Sequence, residues 1–438
     1  MRGPHAGWAF LGHGAEMSLP TRPRNPDAPG VPARRAALRL LDAVLRRGLP
    51  LEAELDHAAE GLPPADRALA HAIAAETLRW LPDLDRLIDS ATERRLPADA
   101  KARFALRIAL AQRLRLATPG HAAISTVLPL LDGGPRRLVH GVFGTLVRDG
   151  KTLPEFPTLP EAAEKRWRRA WGTSMVESAE RALIVPPPLD LSLRDAGETA
   201  AWAERLDGAS SAPGHIRLRE AKAVTTLPGF EDGAWWVQDL AASVPARLLG
   251  RGPGRVLDLC AAPGGKTLQL AAAGWTVTAL DASETRLKRL TENLARTGLA
   301  AEIVAADAMA WQPTARFDAL LLDAPCSATG IFRRHPDVLH RATPRVIADR
   351  TELQRAMLAR AAGWVKPGGR LIYAVCSLEP EEGEAVISDF LAARPDYAIE
   401  PAQPRELPDG TAPDAAGRVR LLPGLADGFF VARLQREV

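Results

Sequence analysis

Apolar residues fall on two different periods along this chain. Between residue 31 and about residue 150 they recur every three to four positions, as at Ala37, Leu38, Leu40, Leu41, Val44 and Leu45. That spacing lines one face of a helix. Residues 68–81, 84–92, 100–116 and 138–147 repeat it, so an all-α domain is expected here. Pro50, Pro63-Pro64, Pro97, Pro119 and Gly133-Gly134 read as breaks between the helices. A proline-rich connector, 153–160, leads into a predicted helix over 161–183, which Pro186-Pro187-Pro188 stops. Residues 189–194 and 215–218 are strand candidates of a small α+β middle domain.

Beyond Gly254 the pattern changes. Short apolar runs at 256–259, 276–280, 303–306, 319–322 and 370–374 are mostly separated by helical stretches such as 284–296, 345–364 and 381–391. That alternation predicts a parallel, doubly wound, Rossmann-like sheet. Residues 428–434 supply one late strand with no helix after it. The expected organisation is a disordered segment (1–30), a helical domain (31–150), a connector with the middle domain (151–245) and an α/β domain (246–438).

Composition narrows the classes. Of 438 residues 46% are apolar, enough for sizeable cores, and the formal net charge is only +3. So mild a charge does not by itself demand a nucleic-acid partner. Arginine is nevertheless dense in the helical part, at Arg34, Arg35, Arg39, Arg46, Arg47, Arg103, Arg107, Arg113, Arg115, Arg136 and Arg137. Two readings stay open: a solvated helical surface, or a face for RNA phosphates, which arginine binds bidentately. Three cysteines make no disulfide framework, so a reducing cytoplasm is expected, and no metal-ligand spacing is present. No run of about 18 apolar residues suggests a membrane span. The first 30 residues lack the apolar core of a signal peptide, and Met17 is an alternative start.

The candidate chemistry lies at the ends of the predicted strands. Cys260, Ala261, Ala262, Pro263, Gly264, Gly265 and Lys266 form a glycine-rich turn after the first strand of the α/β domain. A phosphate-binding loop needs glycine where Cys260 stands, and the dinucleotide fingerprint is absent. Asp281 ends the next strand, where an acid accepts from ribose hydroxyls, and Asp307 ends the one after, within reach of an adenine amino group. Acids in these positions also cap helices. Together with the turn, they point to a nucleoside held without a phosphate cradle, hence S-adenosylmethionine. Cys326, after Asp323-Ala324-Pro325, and Cys376, after an apolar run, each follow a strand's carboxyl end, where ligands bind in such sheets. Two thiols at one crevice suit attack on a pyrimidine ring followed by release.

At these residues the chain resembles the RNA (cytosine-5)-methyltransferases of the Sun family, and most closely the bacterial RsmB-type enzymes of small-subunit ribosomal RNA. The matching stretches are 258–267, 323–330, 333–337 and 373–377, with 233–239 and 421–434 also similar. The helical part is similar to a NusB-like RNA-binding domain, through 121–127 and 138–147. Val375 departs from the family's usual threonine, and the middle segment departs most. Chemistry leaves either cysteine free to attack; in DNA cytosine methyltransferases the Pro-Cys thiol does so. The resemblance implies Cys376 as nucleophile and Cys326 as release helper. It implies Asp323 at the cytosine edge and the cofactor, and Lys266 beside the thiol or substrate. Cys260 reads as a small filler of the turn. Arg333 and Arg334 are candidates to hold flanking phosphates, and His335 is either a loop residue or an RNA contact. The implied protein is a monomeric, metal-free cytoplasmic enzyme acting on RNA. Its alternatives are a non-catalytic assembly factor and a DNA cytosine methyltransferase using Cys326.

Overall fold

The computed structural model describes residues 28–220, 223–424 and 426–438. The expectations for residues 1–27, including a start at Met17, lie outside it. The first domain packs α1 (Val31–Leu45), α2 (Leu51–Ala58), α3 (Pro64–Arg79), α4 (Leu81–Ser90), α5 (Lys101–Leu114), α6 (Gly120–Val127) and α7 (Gly133–Arg148). Leu40, Leu41, Ile73, Leu78, Leu84, Ile88 and Phe104 share its core. The prolines act as helix starts: Pro50, Pro63 and Pro119 precede α2, α3 and α6. Gly133-Gly134, expected to separate helices, open α7, whose first turn needs no upstream hydrogen bond.

The arginine-rich surface is partly an interior. Arg34, Arg103 and Arg107 are buried. Arg107 donates from Nε and Nη2 to Asp85, each at 2.8 Å, and Arg103 pairs with Asp85 and Asp89. Arg34 Nε donates to Gln112 at 2.8 Å. These three tie helices together and face no ligand, whereas Arg113, Arg136 and Arg137 remain exposed.

The expected helix 161–183 is two helices, α8 (Glu161–Trp171) and α9 (Thr173–Ile184), broken at Gly172, where φ is +83°. Only glycine adopts that backbone freely. They pack through Trp167, Val176 and Leu183 against Phe332, Leu339 and Leu378 of the last domain. The middle domain is a four-stranded antiparallel sheet in the order β2-β3-β1-β4. Its strands are β1 (Asp190–Leu193), β2 (Gly208–Ala209), β3 (His215–Leu218) and β4 (Trp235–Val237), with α10 (Thr199–Arg205) alongside. Asp190 fastens it to the helix that follows, α11 (Leu240–Leu249). It accepts from Arg217 Nε and Nη2 at 2.7 Å and from the Leu240 N–H at 3.2 Å. Burial opposes its charge, but Arg217 and His215 prevail and hold its pKa at about 2. α11 runs straight through the expected boundary at residue 245 and packs on the α/β domain that follows.

The α/β domain contains β5 (Arg255–Leu259), β6 (Thr276–Asp281), β7 (Glu302–Ala305), β8 (Phe317–Asp323), β9 (Val365–Val375), β10 (Tyr397–Ile399), β11 (Val419–Leu421) and β12 (Phe429–Arg436). Its helices are α12 (Gly265–Ala272), α13 (Glu284–Thr297), α14 (Val338–Arg341), α15 (Pro344–Ala362) and α16 (Glu384–Ala393). The sheet runs β10-β12-β9-β8-β5-β6-β7, with β11 paired to β12. β9-β8-β5-β6-β7 are parallel and β12 lies antiparallel to β9. The chain moves from β5 out to β7, then returns to β8 on the other side of β5. That reversal opens the ligand crevice at the strands' carboxyl ends. The helical domain seats on the segment after Cys326. Asp337 accepts from the Leu51 N–H at 3.3 Å, Arg341 Nε donates to the Gly48 carbonyl at 3.0 Å, and His340 Nε2 lies 2.8 Å from the Leu78 carbonyl.

Candidate active site

The two thiols meet because their strands are neighbours in register. β8 pairs with β9 so that Asp323 stands opposite Ala374. Cys326 lies three residues past Asp323 and Cys376 two past Ala374, and the sulfurs are 3.5 Å apart. The Gly330 N–H donates to the Cys376 carbonyl at 3.0 Å, binding one loop to the other. Gly330 is required there: a Cβ would stand 2.0 Å from the Gly428 carbonyl oxygen. The hydrogen bond with Cys376 and burial, reinforced by the Glu382 charge, push the Cys326 thiol well above its ordinary pKa.

Lys266, in the first turn of α12, donates from Nζ to Asp323 Oδ2 at 2.7 Å, and the ammonium sits 5.4 Å from the centre of the Phe429 ring. Burial works against its charge, yet Asp323 outweighs burial and raises the Lys266 pKa, with Cys376 contributing in the same direction. Lys266, Asp323, Cys326 and Cys376 therefore lie in one cluster.

Beside it, a cleft of about 340 Å³ opens at the ends of β5, β6 and β7. Cys260, Asp281 and Asp307 line it. The rest of the expected turn, Ala261, Ala262, Pro263, Gly264, Gly265 and Lys266, lies next to this wall and is not part of it; nor is Asp323, which sits with the thiols. The Ala262 N–H donates to Asp281 Oδ2 at 3.1 Å and the Ser283 N–H to Oδ1 at 2.9 Å, fixing the acid at the rim. Asp307 lies two residues beyond the end of β7, not on it. It accepts from the Met309 N–H at 2.8 Å and is exposed. Burial, with the nearby acids, raises the Cys260 thiol far above its ordinary pKa, consistent with an inert filler.

Arg333 and Arg334, expected at flanking phosphates, are both committed to partners within the protein. Arg333 is enclosed, its Nε 3.2 Å from Asp427. Arg334 pairs with Asp427 and Asp239, both at 3.1 Å, and donates to the Pro188 carbonyl. Arg333 joins the Cys326 loop to the turn before β12, which withdraws it from flanking phosphates, and Arg334 joins the same loop to that turn and to the middle domain, with 27% of its side chain still exposed. Sequence reading also missed Ser283, Arg286, Pro325, Leu353 and Met357, which line the cleft, and Glu382, buried behind both cysteines. Glu382 stands in an acidic run with Glu379, Glu381 and Glu384, where charge alone predicts a solvated face. Among the described residues no cluster suits a metal ion, and no helix is long and apolar enough to cross a membrane.

Comparison with known proteins adds independent findings. Residues 248–435 match the family described as 16S rRNA methyltransferase RsmB/F, and residues 31–132 match the NusB family. Ribosomal RNA small subunit methyltransferase B of Xanthomonas campestris is 38% identical, across 93% of this chain and 98% of that protein. Its namesake from Klebsiella pneumoniae is 34% identical, across 92% and 97%. The solved structure of PH0851 superposes with a TM-score of 0.69 at 23% identity, covering 93% of this chain and 99% of that one, which shows the shared fold.

Proposed function

Since this chain belongs to the 16S rRNA methyltransferase RsmB/F family, we propose that it methylates carbon 5 of a cytosine in small-subunit ribosomal RNA, using S-adenosylmethionine and a covalent Cys376–cytosine intermediate. The observation that carries this reading is the pair of thiols 3.5 Å apart, on adjacent strand ends beside the cleft.

The cleft's donor set fits the cofactor. Asp281 Oδ1 accepts one backbone N–H and keeps a lone pair for a ribose hydroxyl, while Oδ2 accepts another and lies 3.5 Å from Arg286 Nη1. Asp307 is exposed toward the same space, and Pro325, Leu353 and Met357 give an apolar wall for a purine. S-adenosylmethionine supplies an electrophilic methyl group there.

The chain's residues do the rest. Carbon 5 of cytosine is a poor nucleophile. A Cys376 thiolate adding at carbon 6 breaks aromaticity and makes carbon 5 enamine-like, so that one hard step becomes two easier ones. The Lys266 ammonium favours the thiolate. Asp323, held by Lys266, meets the base edge, where a proton shared with N3 promotes attack at carbon 6. After transfer, a base takes the carbon-5 proton, a role given to Cys326, and the freed electron pair re-forms the carbon 5–carbon 6 double bond as the Cys376 sulfur leaves as thiolate. Reaching carbon 6 requires an unstacked base, taken from a loop or flipped at a cost of a few kcal/mol.

Methylation and adduct assays on the two cysteine variants test this. Cys376→Ala is expected to lose methyl transfer, and Cys326→Ala to accumulate a covalent RNA adduct visible on a denaturing gel. Full activity in Cys376→Ala sinks the assignment. Bisulfite sequencing of ribosomal RNA from cells lacking the protein then identifies the nucleotide.

A further inference from the structure

Behind the thiol pair lies a carboxylate that the mechanism above does not use. Glu382 is fully buried. Its Oε1 accepts from the Ser327 N–H at 2.8 Å and from Gln354 Nε2 at 3.0 Å. Its Oε2 accepts from the hydroxyls of Ser327 and Ser377. Its backbone carbonyl accepts from the Tyr373 hydroxyl at 2.6 Å. Ser327 directly follows Cys326, and Ser377 directly follows Cys376. One side chain therefore grips both reactive loops at equivalent positions. Gln354 extends the grip, because the same Nε2 donates to the Pro325 carbonyl at 2.9 Å.

A buried carboxylate is costly, and all of its hydrogen-bond partners here are neutral. Its distinguishing property is acceptor capacity: two oxygens and about four lone-pair sites, with no donor to misplace. A neutral amide or hydroxyl could not accept from all four groups at once.

We propose that Glu382 is the positioning residue of the thiol pair, tying the Cys326 loop to the Cys376 loop so that the Cys326 sulfur stays against the nucleophile. The two cysteines depend on it unequally. Cys376 continues β9, whose end is held by the pairing of Val375 with Phe430. Cys326 sits in a loop past the end of β8, anchored beyond Ala324 by hydrogen bonds at Pro325, Ser327, Thr329 and Gly330, those at Pro325 and Ser327 coming from Glu382 and its partner Gln354. Loosening Glu382 therefore displaces the release thiol more than the attacking one.

This rests on the proposed covalent reaction, and its test separates the two. Glu382→Ala, Glu382→Gln and Ser327→Ala are made in the full chain and compared with Cys326→Ala. Turnover, the RNA KM, the S-adenosylmethionine Kd and the adduct fraction are measured for each. In Glu382→Ala, turnover should fall about tenfold to a hundredfold, as misplacement by about 1 Å does elsewhere. The adduct fraction should rise, with KM and Kd within about twofold of the parent. Glu382→Gln, which keeps the shape and part of the acceptor set, should fall between. Combining Glu382→Ala with Cys326→Ala should cost nothing beyond Cys326→Ala alone, because the two act at one step. If Glu382→Ala does not fold, Ser327→Ala removes one arm of the clamp and should shift adduct over turnover in the same direction. A merely structural role lowers adduct and turnover together, in proportion to the folded fraction, and that result overturns the proposal. So does parental turnover in both Glu382→Gln and Ser327→Ala. A Cys326→Ala protein that forms no adduct refutes instead the covalent reading beneath it.

Discussion

Asp258 offers a sharp test of the electrostatics under the cofactor turn. It is completely buried on β5, and its Oδ2 accepts from the Thr267 hydroxyl at 2.6 Å while Oδ1 has no partner. Burial raises its pKa from 3.8 to about 7, against the opposing hydrogen bond from Thr267. Folding therefore favours the protonated acid. The stability cost starts as pH passes the unfolded value of 3.8, grows toward about 7 and is constant above. At 1.36 kcal/mol per unit the full cost is about 4 kcal/mol, of which about 2 kcal/mol develops between about pH 5.5 and pH 8.5. Asp258→Asn keeps an acceptor for Thr267 and removes the charge. Its new amide donor lacks a partner, which offsets the gain by about 1–3 kcal/mol at every pH. The pH dependence is the cleaner quantity, since other titrating groups cancel in the difference. Urea unfolding of both proteins at the two pH values, with matching slopes, should show the asparagine variant gaining about 2 kcal/mol on the parent as pH rises. A difference that stays flat with pH, or moves the other way, refutes the buried-charge argument.

Gly330→Ala should destabilise by about 1–3 kcal/mol or more and cut turnover, because its Cβ would press on the Gly428 carbonyl at 2.0 Å and spread the two cysteine loops. Parental stability and turnover would show that the backbones part without cost. Arg333→Ala leaves Asp427 buried and short of one partner, so it should cost about 3–5 kcal/mol of stability. The salt dependence of RNA binding should not change in that variant; a slope reduced by about one, with stability intact, would restore Arg333 as a phosphate contact.

The parts of this protein legible in its sequence are those that depend on neighbours. Leu257, Leu280 and Leu322 sit in apolar runs short enough to be strands, and strands alternating with helices in a parallel sheet leave few topologies. The placement of Cys326 and Cys376 at strand ends follows from that alone. Their 3.5 Å approach does not, since it requires β8 and β9 to be adjacent with Asp323 opposite Ala374. What stayed hidden was the fate of charge. Arg333, Arg334 and Glu382 look like surface residues because each lies among other charged groups, and their partners are far along the chain. Asp427 is 94 residues from Arg333, and Ser327 is 55 from Glu382. Local pattern carries no information about such pairs. Buried charges are paired as a rule, and these groups mark joints at which loops are held together. In this fold the joints surround the thiols. Arg333 and Arg334 pin the segment after Cys326 to Asp427, ahead of β12, and Glu382 pins its start to Ser377. The proposed reaction, which needs two sulfurs in contact, accounts for so much buried polarity gathering around loops that an apolar core could have packed more cheaply.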